Sequence, residues 1–129
     1  MRPLPPRRVG AAAVVGALLL LASACGGTTV SAVTAIDGRA LDGRGLYAAN
    51  CAACHGADLK GTAKGPPFLD AISRPGHHAD AAFLVAVRSG ARAHHWDFGA
   101  MVPIPGFTDQ QIAAIVAFVR AEQQAAGIR

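Results

Sequence analysis

The feature that most constrains this chain is one short run, Cys51-Ala52-Ala53-Cys54-His55. It places two thiols three residues apart, with an imidazole directly after the second thiol, in a segment whose alanines favour helix. Side chains three and four positions apart lie on one face of a helical turn. Two nucleophilic sulfurs and one metal-binding nitrogen are therefore predicted to share a face.

The C-x-x-C-H spacing is the attachment pattern of c-type haem, in which the thiols bond the vinyl groups and the histidine binds the iron. Three other interpretations stay open. A thioredoxin-like redox disulfide needs a βαβ context that this chain lacks. A structural disulfide would close a very small loop and contribute little stability. A zinc site would need two further ligands, and adjacent histidines lack the customary ligand spacing; the histidines available are His77, His78, His94 and His95.

The N-terminal segment has the layout of an export signal. Arginines precede an apolar run over residues 9–24, which is short for a helix that must cross about 30 Å of hydrocarbon. The small residues before Cys25 resemble the lipobox of bacterial lipoproteins, so we predict cleavage there and a lipid on Cys25. Ordinary cleavage that yields a soluble secreted protein is the alternative. The predicted organisation is a signal peptide at 1–24, a flexible tether at 25–37 and one folded domain at 38–129.

Charge gives little information about partners once that signal is removed. The whole chain has a formal net charge of +4, but the signal contains three of its 12 basic residues, which leaves 9 basic against 8 acidic residues. No cluster of Lys and Arg remains, so nucleic acid is not predicted as a partner. We predict a location at the outer face of the cell membrane or in the periplasm, where the lipid holds the domain close to the membrane.

The domain is predicted to be all-α, with about three short helices. Helices are expected over 39–55 and 79–89, each ended by a glycine, and a third begins after Thr108. Thr108 and Gln111 match a capping box, and apolar residues then recur at helical spacing, at Ile112, Ile115, Val116 and Val119. The segments 56–78 and 91–107 contain many glycines and prolines and are predicted to be loops. With seven aromatic residues, such a domain would bury little apolar area, and a large apolar cofactor would complete its core.

From 37 to 125 the order of these features resembles the class I cytochrome c family. Gly45-Leu46-Tyr47 before the Cys-x-x-Cys-His run looks like the family's first helix, whose glycine permits a close crossing by the last helix, with Phe118 as the aromatic partner. The resemblance implies one covalent haem c on Cys51 and Cys54, with His55 as an axial ligand to iron. It also implies that a proline carbonyl, of Pro66 or Pro67, orients the His55 ring.

The family's sixth iron ligand is a methionine in a proline-containing loop before the last helix, and Met101 stands there. Val102 separates it from Pro103, where the family often has proline directly after the methionine. Histidine ligation by His94 or His95 is the rival. The side chains expected to wall the haem are Phe68, Trp96, Phe98 and Ile104.

The resemblance implies an electron carrier, not an enzyme, because two axial ligands leave the iron no open site. Its partners would be redox proteins of the membrane or periplasm, and it would work either as a free carrier or as the cytochrome subunit of a respiratory or dehydrogenase chain. The alternative is a haem enzyme or gas sensor with a labile sixth ligand. A subunit that uses haem only for folding is a third possibility.

Overall fold

A computed structural model of the chain describes residues 41–129. The predicted signal, the tether and Cys25 therefore lie outside the described residues. The described part contains a single-turn 3-10 helix at Ala71–Ser73 and four α-helices, namely α1 (Gly43–Asn50), α2 (Ala52–His55), α3 (Asp80–Ser89) and α4 (Asp109–Ala125). Residues 41–129 form no β-strand, only two isolated bridges. The predicted all-α class is confirmed.

The first predicted helix, 39–55, is two helices that meet at Cys51. Helix α1 begins after Asp42, whose carboxylate accepts a hydrogen bond from the Gly45 backbone N–H at 2.9 Å. The backbone of Cys51 has φ −118° and ψ −31°, so the regular helix stops there. Helix α2 is a single turn that ends at Gly56, whose φ of 83° favours glycine. The thiol-bearing turn is thus a separate helical turn and not a continuation of α1.

Helices α1 and α4 cross closely, and the glycine at the crossing is Gly43. A Cβ added to Gly43 would lie 2.0 Å from the carbonyl oxygen of Ala114 in α4. A Cβ on Gly45 would instead meet the Asp42 carboxylate. The expectation that Gly45 permits the crossing is therefore wrong. The predicted aromatic partner does lie there, since the rings of Tyr47 and Phe118 are 5.4 Å apart.

The core lies along α4 and has two parts. Thr108 and Gln111 form the predicted capping box, and the four apolar positions predicted for one face of α4 are all buried. On one side Ile115 and Val119 pack with Tyr47 of α1 and with Leu59. On the other side Ile112 and Val116 pack with Val87 of α3. The prediction of helices at 79–89 and after Thr108 is confirmed to within one residue.

The segment 56–78 is held on α4 by buried polar groups. Gln123 is 1% exposed, and its side-chain amide donates to the carbonyls of Phe68 at 2.8 Å and Ser73 at 2.9 Å. Arg120 donates to the Ser73 carbonyl at 3.0 Å and to the His78 carbonyl. These bonds satisfy loop carbonyls that would otherwise be buried without partners. The segment is irregular, as predicted, yet fixed in place.

Within residues 41–129, no helix is both long enough and apolar enough to cross a membrane.

Candidate functional site

The single-turn helix α2 brings the two thiols and the imidazole together. The backbone N–H groups of Cys54 and His55 both donate to the Cys51 carbonyl, at 3.1 and 2.9 Å. Both cysteines are free thiols; Cys51 is half-buried and Cys54 is exposed. Burial, and after it the neighbouring Cys54, raises the pKa of the Cys51 thiol to about 11. At neutral pH the Cys51 sulfur is therefore protonated and bears no charge.

The His55 ring is fixed by one hydrogen bond and one ring stack. Its Nδ1 lies 2.9 Å from the Pro66 carbonyl oxygen, which can only accept, so Nδ1 carries the proton. The ring of Phe68 stacks on it at 4.4 Å with 22° between the planes. Desolvation lowers the pKa of His55, and the hydrogen bond to Pro66 opposes this in part. His55 is then neutral with a lone pair left on Nε2, as a metal ligand requires.

Of the two candidate prolines, Pro66 makes this contact and Pro67 does not. The Pro67 carbonyl accepts instead from the Ser73 hydroxyl at 2.9 Å. A Cβ on Gly65 would lie 3.0 Å from the Cys54 carbonyl oxygen. Glycine at 65 therefore lets the following loop segment approach closely enough for the Pro66 carbonyl to reach the His55 ring.

Three further residues form hydrogen bonds to the backbone carbonyls of the same turn. The buried Tyr47 hydroxyl donates to the Gly56 carbonyl at 2.6 Å, and the Thr62 hydroxyl donates to the Cys54 carbonyl at 2.6 Å. The Gly61 N–H donates to the His55 carbonyl at 2.8 Å. Only Tyr47, aromatic and four residues before Cys51, had a sequence signal, and that signal concerned packing.

A cavity of about 310 Å³ opens beside this turn. Both thiols, His55 and Met101 line it, and so do all four side chains predicted to wall a haem. Most of its remaining surface is apolar, with Phe83 and Val87 of α3 contributing. Among the described residues, all those predicted to bind the cofactor line this one cavity, except Pro67.

Met101 is held at this cavity by the end of α3. Its N–H and carbonyl exchange hydrogen bonds with Ala91 at 2.8 and 3.1 Å. Gly90, with φ 78°, allows this approach, because a Cβ there would lie 2.5 Å from the Met101 carbonyl oxygen. The half-buried thioether packs beside Val87 and Ile112. These contacts fix the loop although it has no regular structure.

The histidines do not join the cysteines in a zinc site. Among residues 41–129, the metal-capable grouping of three or more side chains is His77, His78 and His95. Neither cysteine belongs to it. The zinc interpretation of the Cys-x-x-Cys pair therefore lacks its further ligands, while the histidines form a cluster of their own.

The residues present fit a c-type haem. Two thiols are available to bond vinyl carbons, the lone pair of His55 and the thioether of Met101 are available to iron, and the walls are apolar. Trp96 and Phe98 lie against each other, with ring centroids 6.3 Å apart.

A comparison with protein families supports this fit. A family model described as Cytochrome c matches residues 40–122 of the chain. No curated protein sequence matches the chain.

Proposed function

We propose, from the premise that this chain belongs to the cytochrome c family, that it is a one-electron carrier with a single covalent haem and His/Met ligation. Haem-based electron transfer is what the family implies; the ligands, the covalent bonds and the cellular role are our proposal. The observation that carries it is that Cys51, Cys54, His55 and Met101 all line one cavity. No other residue set in the described chain combines two thiols, an imidazole and a thioether.

Cys51 and Cys54 would hold the group covalently, each by adding its S–H across a vinyl double bond to form a thioether. Nothing leaves in this addition, so no oxidant or reductant is needed. The position of α2 supports the assignment, because Cys51, Cys54 and His55 at this single turn all line the same cavity. The exposed Cys54 remains accessible to a maturation enzyme.

His55 would be one axial ligand through Nε2, with the Pro66 carbonyl keeping the proton on Nδ1. Such an outer hydrogen bond fixes the ring orientation and raises the basicity of the ligand. Met101 would be the other ligand, presented by the Ala91 hydrogen bonds at the end of α3. When bound, the haem supplies an iron that alternates between ferrous and ferric states. The soft thioether ligand favours ferrous over ferric iron. Apolar walls favour the ferrous state as well, because ferric haem carries one more positive charge.

Covalent attachment can be tested on the protein matured in a c-haem-competent host. After denaturation and removal of free haem, the wild-type chain should retain one haem by mass and by haem staining. Cys51→Ala and Cys54→Ala should each lose one thioether bond, and the double variant should lose the haem. Ala53→Ser, which changes the exposed spacer and keeps both thiols, is the matched control and should retain it. A double variant that still carried covalent haem would contradict the proposal.

Carbon monoxide distinguishes a carrier from a haem enzyme or gas sensor. With both axial positions filled, the reduced protein should not bind carbon monoxide rapidly at neutral pH. Met101→Ala should bind it, because that substitution opens one position. Rapid binding by the wild-type protein would refute the carrier assignment and favour a sensor or enzyme with a labile ligand.

We also propose that a lipid on Cys25 tethers the domain outside the cell membrane, near redox partners of the membrane or periplasm. The support is sequence alone, since Cys25 lies outside the described residues. Cys25→Ala should change the membrane-bound protein into a soluble one after signal removal. Retention at the membrane by that variant would refute the lipid anchor and favour a partner subunit as the attachment.

A further inference from the structure

Two pairs of adjacent histidines from different loops meet at one place. His77 and His78 end the segment before α3, and His94 and His95 lie in the loop before Met101. The Nε2 atoms of His77 and His95 are 3.0 Å apart, and those of His78 and His94 are 3.2 Å apart. Histidines that are 18 and 16 residues apart in the chain are thus in contact.

The His78–His94 contact lacks a hydrogen for its hydrogen bond when both rings are neutral. His78 Nδ1 lies 2.8 Å from the Ile72 carbonyl oxygen, and His94 Nδ1 lies 2.8 Å from the Arg92 carbonyl oxygen. A carbonyl oxygen only accepts, so both Nδ1 atoms carry their hydrogens. Each neutral ring then has only a lone pair on Nε2, and the two lone pairs face each other. Such a contact requires a cation between them, either a proton or a metal ion.

Further protons are disfavoured in this cluster. Neighbouring rings of the four histidines have centroids 4.3–5.4 Å apart, so several imidazolium charges would repel one another. A divalent ion bound by several neutral imidazoles avoids that mutual repulsion, because the ligands themselves carry no charge. The arrangement therefore favours a metal over several imidazolium rings.

We propose that His77, His78 and His95, with His94 as a fourth ligand, bind one divalent transition-metal ion of the class that prefers imidazole, Zn²⁺ or Cu²⁺. Ligand atoms of the first three all lie within 4.8 Å of one another. Tetrahedral zinc with Zn–N bonds of about 2.0–2.1 Å separates its nitrogens by roughly 3.3 Å. The observed 3.0 and 3.2 Å separations within the two pairs are close to that value, and ring rotations that bring the two pairs closer together would complete the site.

This site is distinct from the proposed haem ligands, which are His55 and Met101. His78, His94 and His95 also line the haem cavity, so a metal there would add positive charge at its wall. That consequence rests on the proposed function, whereas metal binding itself does not.

The test is isothermal titration of Zn²⁺ into the haem-loaded full chain, in two neutral buffers of different ionisation enthalpy. We expect one Zn²⁺ per chain. If the cluster holds a proton beforehand, the heats in the two buffers will differ by the proton released, which also supports a shared cation position. The visible spectrum of the haem should not change on addition of Zn²⁺.

The test variant combines His77→Asn with His95→Asn. Both side chains are exposed, and neither forms a hydrogen bond to a backbone carbonyl as His78 does to that of Ile72. We expect this double variant to bind Zn²⁺ at least about tenfold more weakly, the loss typical even of outer contacts to a metal ligand. Asp97→Asn, an exposed change two residues from His95 that removes no imidazole, is the matched control and should bind as the wild type does.

The haem spectrum is the folding control, and it should be the same in all variants as in the wild type. It also reports haem ligation independently of Zn²⁺ binding, so failure of one proposal can be told from failure of the other. Zn²⁺ binding by the double variant as tight as in the wild type would overturn the metal site and assign the ion to other groups, such as the haem carboxylates. Absence of any saturable binding by the wild type would also overturn it, and would leave a shared proton between His78 and His94.

Discussion

The crossing of α1 and α4 provides the sharpest stability test, because two nearby glycines have different surroundings. Gly43→Ala would place a Cβ 2.0 Å from the Ala114 carbonyl oxygen, which belongs to rigid helix backbone. Overpacking of this kind costs typically about 1–3 kcal/mol, and an overlap so short belongs at the upper end. Alanine in place of glycine stabilises a helix by up to about 1 kcal/mol. The net loss expected for Gly43→Ala is therefore about 2 kcal/mol.

Gly45→Ala is the matched control, in the same helix. Its Cβ would lie 2.3 Å from an Asp42 carboxylate oxygen, the end of a side chain that can rotate away. Rotation would sacrifice the helix N-cap, a loss of about 1 kcal/mol, and the helix propensity of alanine offsets about as much. Urea denaturation of the haem-loaded proteins should thus shift the midpoint of Gly43→Ala by roughly 1 M or more and leave Gly45→Ala near the wild type. Equal midpoints for the two variants would refute the assignment of the crossing to Gly43.

Three other substitutions test contacts around the site. Tyr47→Phe should lower the free energy of unfolding by about 1 kcal/mol, because the Gly56 carbonyl loses the Tyr47 hydroxyl and keeps the Leu59 N–H as a donor. A change below about 0.5 kcal/mol in urea denaturation would show that the bond is unimportant. Gln123→Leu keeps a side chain of similar size but removes the amide that donates to the carbonyls of Phe68 and Ser73. The free energy of unfolding should fall by about 2 kcal/mol, and segment 56–78 should become more sensitive to protease. Equal proteolysis rates for the variant and the wild type would contradict this. Gly90→Ala forces a residue with a side chain to φ 78° and against the Met101 carbonyl, at a cost of at least about 1–2 kcal/mol, and should weaken methionine ligation in the ferric spectrum; an unperturbed spectrum and stability would refute the role of Gly90 in placing Met101.

The sequence was sufficient where local patterns determine structure. The capping box at Thr108 and the apolar repeat of α4 predict that helix because both depend on residues within a few positions. The Cys-x-x-Cys-His run likewise predicts a thiol-bearing turn, since its chemistry is contained in five residues. The fold class and the residues that share the cavity followed from these signals and from the family resemblance.

What the sequence did not predict depends on contacts between distant segments. Gly43 and Gly45 are two residues apart in one helix, and only the position of Ala114 decides which of them the crossing requires. From the sequence alone, Gln123 would be expected to be an exposed polar residue near the end of a helix. It is buried instead, because its side-chain amide donates to a loop carbonyl. Adjacent histidines lack the customary ligand spacing, so the sequence did not indicate that the two pairs form one site. They meet only because the folded chain brings residues 77–78 and 94–95 together.

The axial ligation of the proposed haem is tested most directly by the ferric absorption spectrum of the matured protein. Methionine-sulfur ligation produces a weak charge-transfer band in the far red, which histidine ligation or an open site does not give. We expect the wild-type protein to show this band and Met101→Ala to lose it, with the haem still covalently attached. A wild-type spectrum without the band, or a band that survives in Met101→Ala, would contradict the assignment of His55 and Met101 as the ligands of an electron carrier.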